Sequence, residues 1–226
     1  MAEAISCQYL KDNCPNDYYC IQQSKDKSVC VKRFEAQQKI VSYPFSKITK
    51  SFCDQGSLTT KDDSHSWSNT AFAIDLIGDR AKKKNTIFAG ANGKVITSND
   101  CKTQNDQCGL GFGNQVKILT DDNFIVFYAH LKNVFVKTGD FIKQGEPIGE
   151  EGDSGWTGEN NRHLHLSVHF GWKSLGYDYW KPPGYLPFSV PFKIKDCHGE
   201  ILSVESISCK RNSNSPKIFC EQQGVK

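Results

Sequence analysis

The stretch HLHLSVHF, residues 163–170, sets three histidines and a serine against four apolar residues in strict alternation. Side chains along a β-strand point to opposite faces in turn, so His163, His165, Ser167 and His169 share one face, and Leu164, Leu166, Val168 and Phe170 the other. The apolar face is fit to pack a core. The polar face has two readings: a solvated surface, or imidazoles gathered to hold a metal.

Runs of the same texture fill the chain from Val41 onward. TAFAIDLIG (70–78), GKVITS (93–98), NQVKILT (114–120), NFIVFYAHL (123–131) and VFVKTG (134–139) are short, rich in β-branched and aromatic residues, and separated by glycine and Asn/Asp turns. That spacing predicts an all-β domain of antiparallel sheets. Helical periodicity over a dozen residues is absent. ILTDDNFIV and FVKTGDFIK read as hairpins, with Asp121-Asp122-Asn123 and Thr138-Gly139-Asp140 supplying the turns.

Length and cysteine content bound the organisation. The 226 residues suit one sizeable domain with a small appendage, and the ten cysteines point to disulfides and an oxidising compartment, secreted or periplasmic. No Cys-x-x-Cys pair occurs, which weakens the competing reading of zinc–thiolate sites. Residues 1–40 hold Cys7, Cys14, Cys20 and Cys30 among few aliphatics and read as a stapled module or arm, with three connectivities open. Cys101 and Cys108 are expected to clip one loop, and one bridge is expected to return the tail (Cys197, Cys209, Cys220) towards Cys53. The opening MAEAIS contains no signal-peptide pattern, and no apolar run approaches the roughly 18 residues of a membrane helix. The net charge of +3 is interspersed, which does not describe a nucleic-acid binder.

Chemistry-bearing residues stand at three further places. Asp75 interrupts a nearly continuous apolar strand, so it is expected to be buried and to need a partner: a cation, a salt bridge or a capping role. His65, ten residues upstream among polar residues, reads alone as a surface histidine. His130, in YAHL (128–131), stands at the end of an apolar strand, where functional groups are often displayed.

Together these pieces resemble a family. His65 with a downstream Asp75, then YAHL, then HLHL, with the turn-rich run VKTGDFIKQGEPIGEEGDSGWTGENNRHLHLSV (136–168) between the last two, is similar to the lysostaphin/LytM-type zinc endopeptidases that cut peptide cross-bridges of peptidoglycan. IFAGANGKVI (87–96) and GFGNQVKI (111–118) agree in order, and the likeness covers roughly residues 41–195. The resemblance implies a sandwich or split-barrel peptidase domain over 41–226, including a cysteine-containing C-terminal extension. It implies zinc held by His65, Asp75 and His165, with His163 and His130 as catalytic histidines, and peptidoglycan peptide as substrate. His169 has no counterpart. Asn161-Arg162 stands where the family often has Gly-Pro, in a loop expected to border the cleft.

Two other readings use the same residues. One is a catalytically inactive binding or regulatory protein on this fold, which has no need of both His130 and His163. The other likens VKTGDFIKQGEPIG to the hairpin of biotinyl or lipoyl carriers, but it lacks the modifiable lysine in its turn and leaves the histidines unexplained.

Overall fold

Alternation along 164–170 is realised as a strand at the centre of a large sheet. The computed structural model describes residues 14–15, 18–24, 27–32, 39–47, 49–58, 65, 69–99, 108–158, 161–170, 189–210 and 214–220. In chain order the strands are β1 (Tyr18–Ser24), β2 (Lys27–Lys32), β3 (Lys39–Ser42), β4 (Ser51–Gln55) and β5 (Ile74–Ile77). β6 (Thr86–Phe88), β7 (Gly93–Asn99), β8 (Asn114–Leu119), β9 (Phe124–Val134) and β10 (Phe141–Ile142) follow. The last are β11 (Pro147–Glu151), β12 (Leu164–Phe170), β13 (Phe192–Lys195), β14 (Ile201–Ser203) and β15 (Ile218–Phe219).

Ten of these strands form one sheet in the order β10-β7-β8-β9-β12-β5-β4-β15, with β11 pairing β6 and β9 off that path. β14, β13 and β3 form a second sheet, and β1 and β2 a two-stranded ribbon. The all-β reading holds, with one departure from antiparallel order: β3 and β13 are parallel, a pairing that joins residues 39–42 to 192–195. Among the described residues there is no α-helix, only short 3-10 turns.

Leu164, Leu166 and Val168 are fully buried in a core shared with Ile74, Leu76, Val126, Tyr128 and residues of the second sheet such as Val41, Phe192 and Ile194. Burying each large aliphatic side chain contributes about 1.5–3 kcal/mol. Tyr128 spends its hydroxyl inside this core by accepting the Gly90 N–H at 2.7 Å.

Three sequence expectations need correction. The strand within TAFAIDLIG is only Ile74–Ile77, because residues 69–72 turn and the Ala73 N–H bonds the Thr70 carbonyl at 2.8 Å. VFVKTG is a turn after Val134, closed by Asp140, whose Oδ2 accepts the Lys137 N–H at 2.8 Å. The strand that follows this turn, β10, therefore pairs with β7 and not with β9, so FVKTGDFIK is not a hairpin. ILTDDNFIV is one: β8 and β9 pair through Leu119 and Ile125, with Asn123 at φ 62 in the turn.

Three disulfides are described. Cys14–Cys30 selects among the connectivities of the N-terminal four, Cys53–Cys209 ties the tail to β4 as expected, and Cys197–Cys220 closes the tail on itself. Cys108 is disulfide-bonded, while Cys7 and Cys101 lie outside the described residues.

Candidate metal centre

Cross-strand register builds the site. His165 on β12 pairs with Asp75 on β5 and with Ala129 on β9, and Asp75 pairs with Gln55 on β4. Partners across a ladder share a face, so the histidine face of β12 carries the Asp75 carboxylate beside it. That face is buried as thoroughly as the apolar one: His165 is 3% exposed, Ser167 and His169 0%. The solvated-surface reading of the opening stretch is thereby excluded.

His65 is fully buried, contrary to its surface reading from the sequence. Its Nδ1–H donates to the Gly56 carbonyl just beyond β4, at 2.8 Å, since a carbonyl can only accept. That bond leaves the Nε2 lone pair for the site. His65 Nε2 stands 3.2 Å from Asp75 Oδ1 and 3.3 Å from His165 Nδ1, and His165 Nδ1 stands 3.1 Å from Asp75 Oδ1. Three atoms able to ligate a metal, from three separate segments, thus form a nearly equilateral triangle, the one such group of His, Cys, Asp or Glu found among the described residues.

Charge favours a cation there. Burial pushes the Asp75 carboxyl upward, but His65, His163 and His165 outweigh it and hold the group well below the ordinary carboxylate range. Burial pushes His165 down despite Asp75, and drives His130 from 6.5 to about 3, helped by His163 and His165. An ionised, buried carboxylate beside imidazole nitrogens is a setting that favours a bound cation. His165 Nε2 is also buried, with no hydrogen-bond partner among the described residues.

The second pair of histidines borders the triangle. His163 Nε2 lies 3.8 Å from Asp75 Oδ2, and its Nδ1–H donates to the Asn161 carbonyl at 2.7 Å. His130 donates Nδ1–H to the Ser154 carbonyl at 2.8 Å, and its ring centre lies 4.8 Å from that of His163. His130 is not at the end of its strand, as the sequence suggested, but seven residues into the eleven of β9. It has φ 61, where the register with β8 slips between Asn114 and Val116. Such a bulge re-aims a side chain at the expense of local strain.

Sequence reasoning missed the residues that hold these imidazoles. Gly113, at φ 63, permits the approach of Ser154: a Cβ there would meet the Ser154 carbonyl carbon at 2.3 Å. Ser154 in turn accepts the Asn114 N–H on its Oγ and donates that hydroxyl to the Leu131 carbonyl. Glycine density in GLGFG and DSGWTG was the available signal. Arg162, just before His163, lies 3.2 Å by Nε from Glu151 Oε2 and donates to the carbonyls of Asp79, Lys82 and Lys83. It fastens the loop after β5 to the start of β12. His169 bonds Ser167 through Nε2 at 2.8 Å and takes no part in the triangle.

With this geometry in hand, the chain can be set beside known proteins. Residues 73–176 match the model of Peptidase family M23. This segment belongs to that family. The M23 segment contains Asp75, His130, His163 and His165, while His65 lies upstream of it. Lipoprotein NlpD of Yersinia enterocolitica is 28% identical over 113 residues, 50% of this chain and 98% of that sequence. Murein hydrolase activator NlpD of Escherichia coli (strain K12) is 27% identical over 114 residues, 50% of this chain but only 25% of that protein. The catalytic domain of the antimicrobial peptidase lysostaphin from Staphylococcus simulans is 21% identical, with a TM-score of 0.40 over 54% of this chain and 80% of that one.

Proposed function

We propose that the chain is a zinc-dependent endopeptidase that hydrolyses peptide amide bonds of bacterial peptidoglycan, in a secreted or periplasmic setting. The observation that carries the reading is the triangle of His65 Nε2, Asp75 Oδ1 and His165 Nδ1, with edges of 3.1–3.3 Å. Tetrahedral zinc with bonds of about 2.0–2.1 Å has ligand–ligand edges of roughly 3.3 Å, so the donor set fits that ion, and three protein ligands leave a fourth position open. The described disulfides support the oxidising compartment.

When bound, zinc supplies the Lewis acidity that makes water nucleophilic near neutral pH and polarises the scissile carbonyl. The chain's own residues then handle protons. His163 and His130 have each committed Nδ1–H to a backbone carbonyl, so in the neutral form each presents Nε2 as an acceptor. A water between them can give up a proton to one imidazole as it attacks. Only after that transfer does the imidazole become a donor for the developing oxyanion or the leaving nitrogen. A donor role for His130 thus requires that it first receive a proton.

A second reading is a regulator of other wall hydrolases, supported by the NlpD relatives named as murein hydrolase activators. Purified walls distinguish the two. The peptidase reading expects new amino termini from walls treated with metal-loaded protein, lost on chelation or in His163→Ala. The regulator reading expects no release by the protein alone and faster release by an added hydrolase.

A further inference from the structure

The triangle of candidate ligands leans on a part of the chain that lies outside the M23 segment. His65 donates Nδ1–H to the Gly56 carbonyl, and Asp75 is the register partner of Gln55, so the end of β4 meets two of the three candidate ligands. Against those two backbone positions packs the Cys53–Cys209 disulfide, which joins residues 156 apart in sequence. Cys53 Sγ lies 3.5 Å from the Gln55 carbonyl oxygen. Cys209 Sγ stands so near Gly56 that a Cβ added there would meet it at 3.1 Å. Both cysteines are fully buried, and Gly56 is buried with them.

The sheet alone holds this carbonyl loosely. The register of β4 with β5 slips between Cys53 and Gln55, and β4 ends at Gln55. A slipped ladder restrains the chain less firmly than a regular one. The tail supplies the missing restraint. The Lys210 N–H donates to the Cys53 carbonyl at 2.9 Å, the Cys53 N–H to the Lys217 carbonyl at 3.3 Å, and the Lys217 N–H to the Ser208 carbonyl at 2.7 Å. These tail residues follow the M23 segment, which ends at 176. An acceptor for the far nitrogen of a ligating imidazole fixes both its tautomer and its ring orientation, so a shift of the Gly56 carbonyl is felt at His65.

Building on the metal-centre reading, we infer that the Cys53–Cys209 disulfide is a positioning element of the zinc site. It holds the Gly56 carbonyl where His65 must donate Nδ1–H, so that Nε2 stays turned to Asp75 and His165. The cysteine-containing tail thereby acts on the metal as well as on stability. The absence of a side chain at Gly56 is part of the device, because it lets the sulfur press directly on the backbone that carries the carbonyl. Cys197–Cys220 joins two positions within the tail and serves as the control.

Zinc affinity tests this without turnover, by competition between the purified full chain and a chromophoric chelator. Cys53→Ala combined with Cys209→Ala should bind zinc about ten- to a hundred-fold more weakly than wild type, the range for losing an outer support of a ligating histidine. Cys197→Ala combined with Cys220→Ala should bind zinc like wild type, although both double variants melt at lower temperature. Gly56→Ala keeps every disulfide and crowds Cys209 Sγ, so it too should weaken zinc binding. If the Cys53 and Cys209 pair cannot be removed without unfolding, Gly56→Ala decides alone. Wild-type affinity in the folded Cys53→Ala, Cys209→Ala protein, wild-type affinity in Gly56→Ala, or an equal loss in the control pair would overturn the inference. Wild-type protein that binds no zinc would instead overturn the metal-centre reading itself, and this inference with it.

Discussion

His165 Nδ1 stands 3.1 Å from Asp75 Oδ1 because the two residues are direct register partners of β12 and β5. The ladder that holds the sheet together therefore also sets two corners of the triangle of candidate ligand atoms, and His65 adds the third from a separate segment.

Removing one corner should empty the site without unfolding the sheet. Asp75→Asn keeps the shape but removes the charge that attracts a cation, so the metal content of purified protein should fall from one per chain to near zero. Circular dichroism should retain the β signature. His169→Ala, outside the triangle, should leave metal content unchanged.

Acid should destabilise the metal-free protein through His130. The unfolded chain takes up that proton near pH 6.5, whereas the folded one resists until about 3. Across that window the unfolded state binds more protons, so stability falls as pH falls. Urea unfolding of chelated protein from pH 7 to 3 should show a shallower loss in His130→Gln than in wild type.

Lys117 should act at the alkaline end. Its proton is held up to about 10.5 in the unfolded chain but released near 8 in the folded one, so its contribution to stability rises with pH between those values. Lys117→Met should be the more stable protein at pH 7, by at most about 3.4 kcal/mol. The difference should shrink as pH is raised from 8 to 10.5.

The strand pattern, the buried carboxylate and the shared face of His163, His165 and His169 were legible because they follow from a side-chain period of two. What escaped depends on distant partners. The burial of His65 follows from the Gly56 carbonyl and from β5 and β12, none of which marks its polar surroundings in the chain. The positive φ of His130 follows from a register slip against β8, which no local pattern encodes. The parallel pairing of β3 with β13 spans about two-thirds of the chain and leaves no trace in either segment alone.

The Arg162–Glu151 pair should prove costly to break. Glu151 is 1% exposed and also accepts the Gly78 N–H and the Asn85 amide. Arg162→Met leaves that carboxylate buried without its counter-ion, a loss of about 3–5 kcal/mol. Denaturant midpoints measure it, and the double variant Arg162→Met with Glu151→Leu should recover part of the loss.

The central claim is one zinc ion shared by His65, Asp75 and His165. Crystals grown with zinc and measured on both sides of its absorption edge test it directly. The account predicts a single strong anomalous peak about 2.0–2.2 Å from His65 Nε2, Asp75 Oδ1 and His165 Nδ1. A peak elsewhere, or a refined structure in which His65 lies apart from the other two, would contradict it.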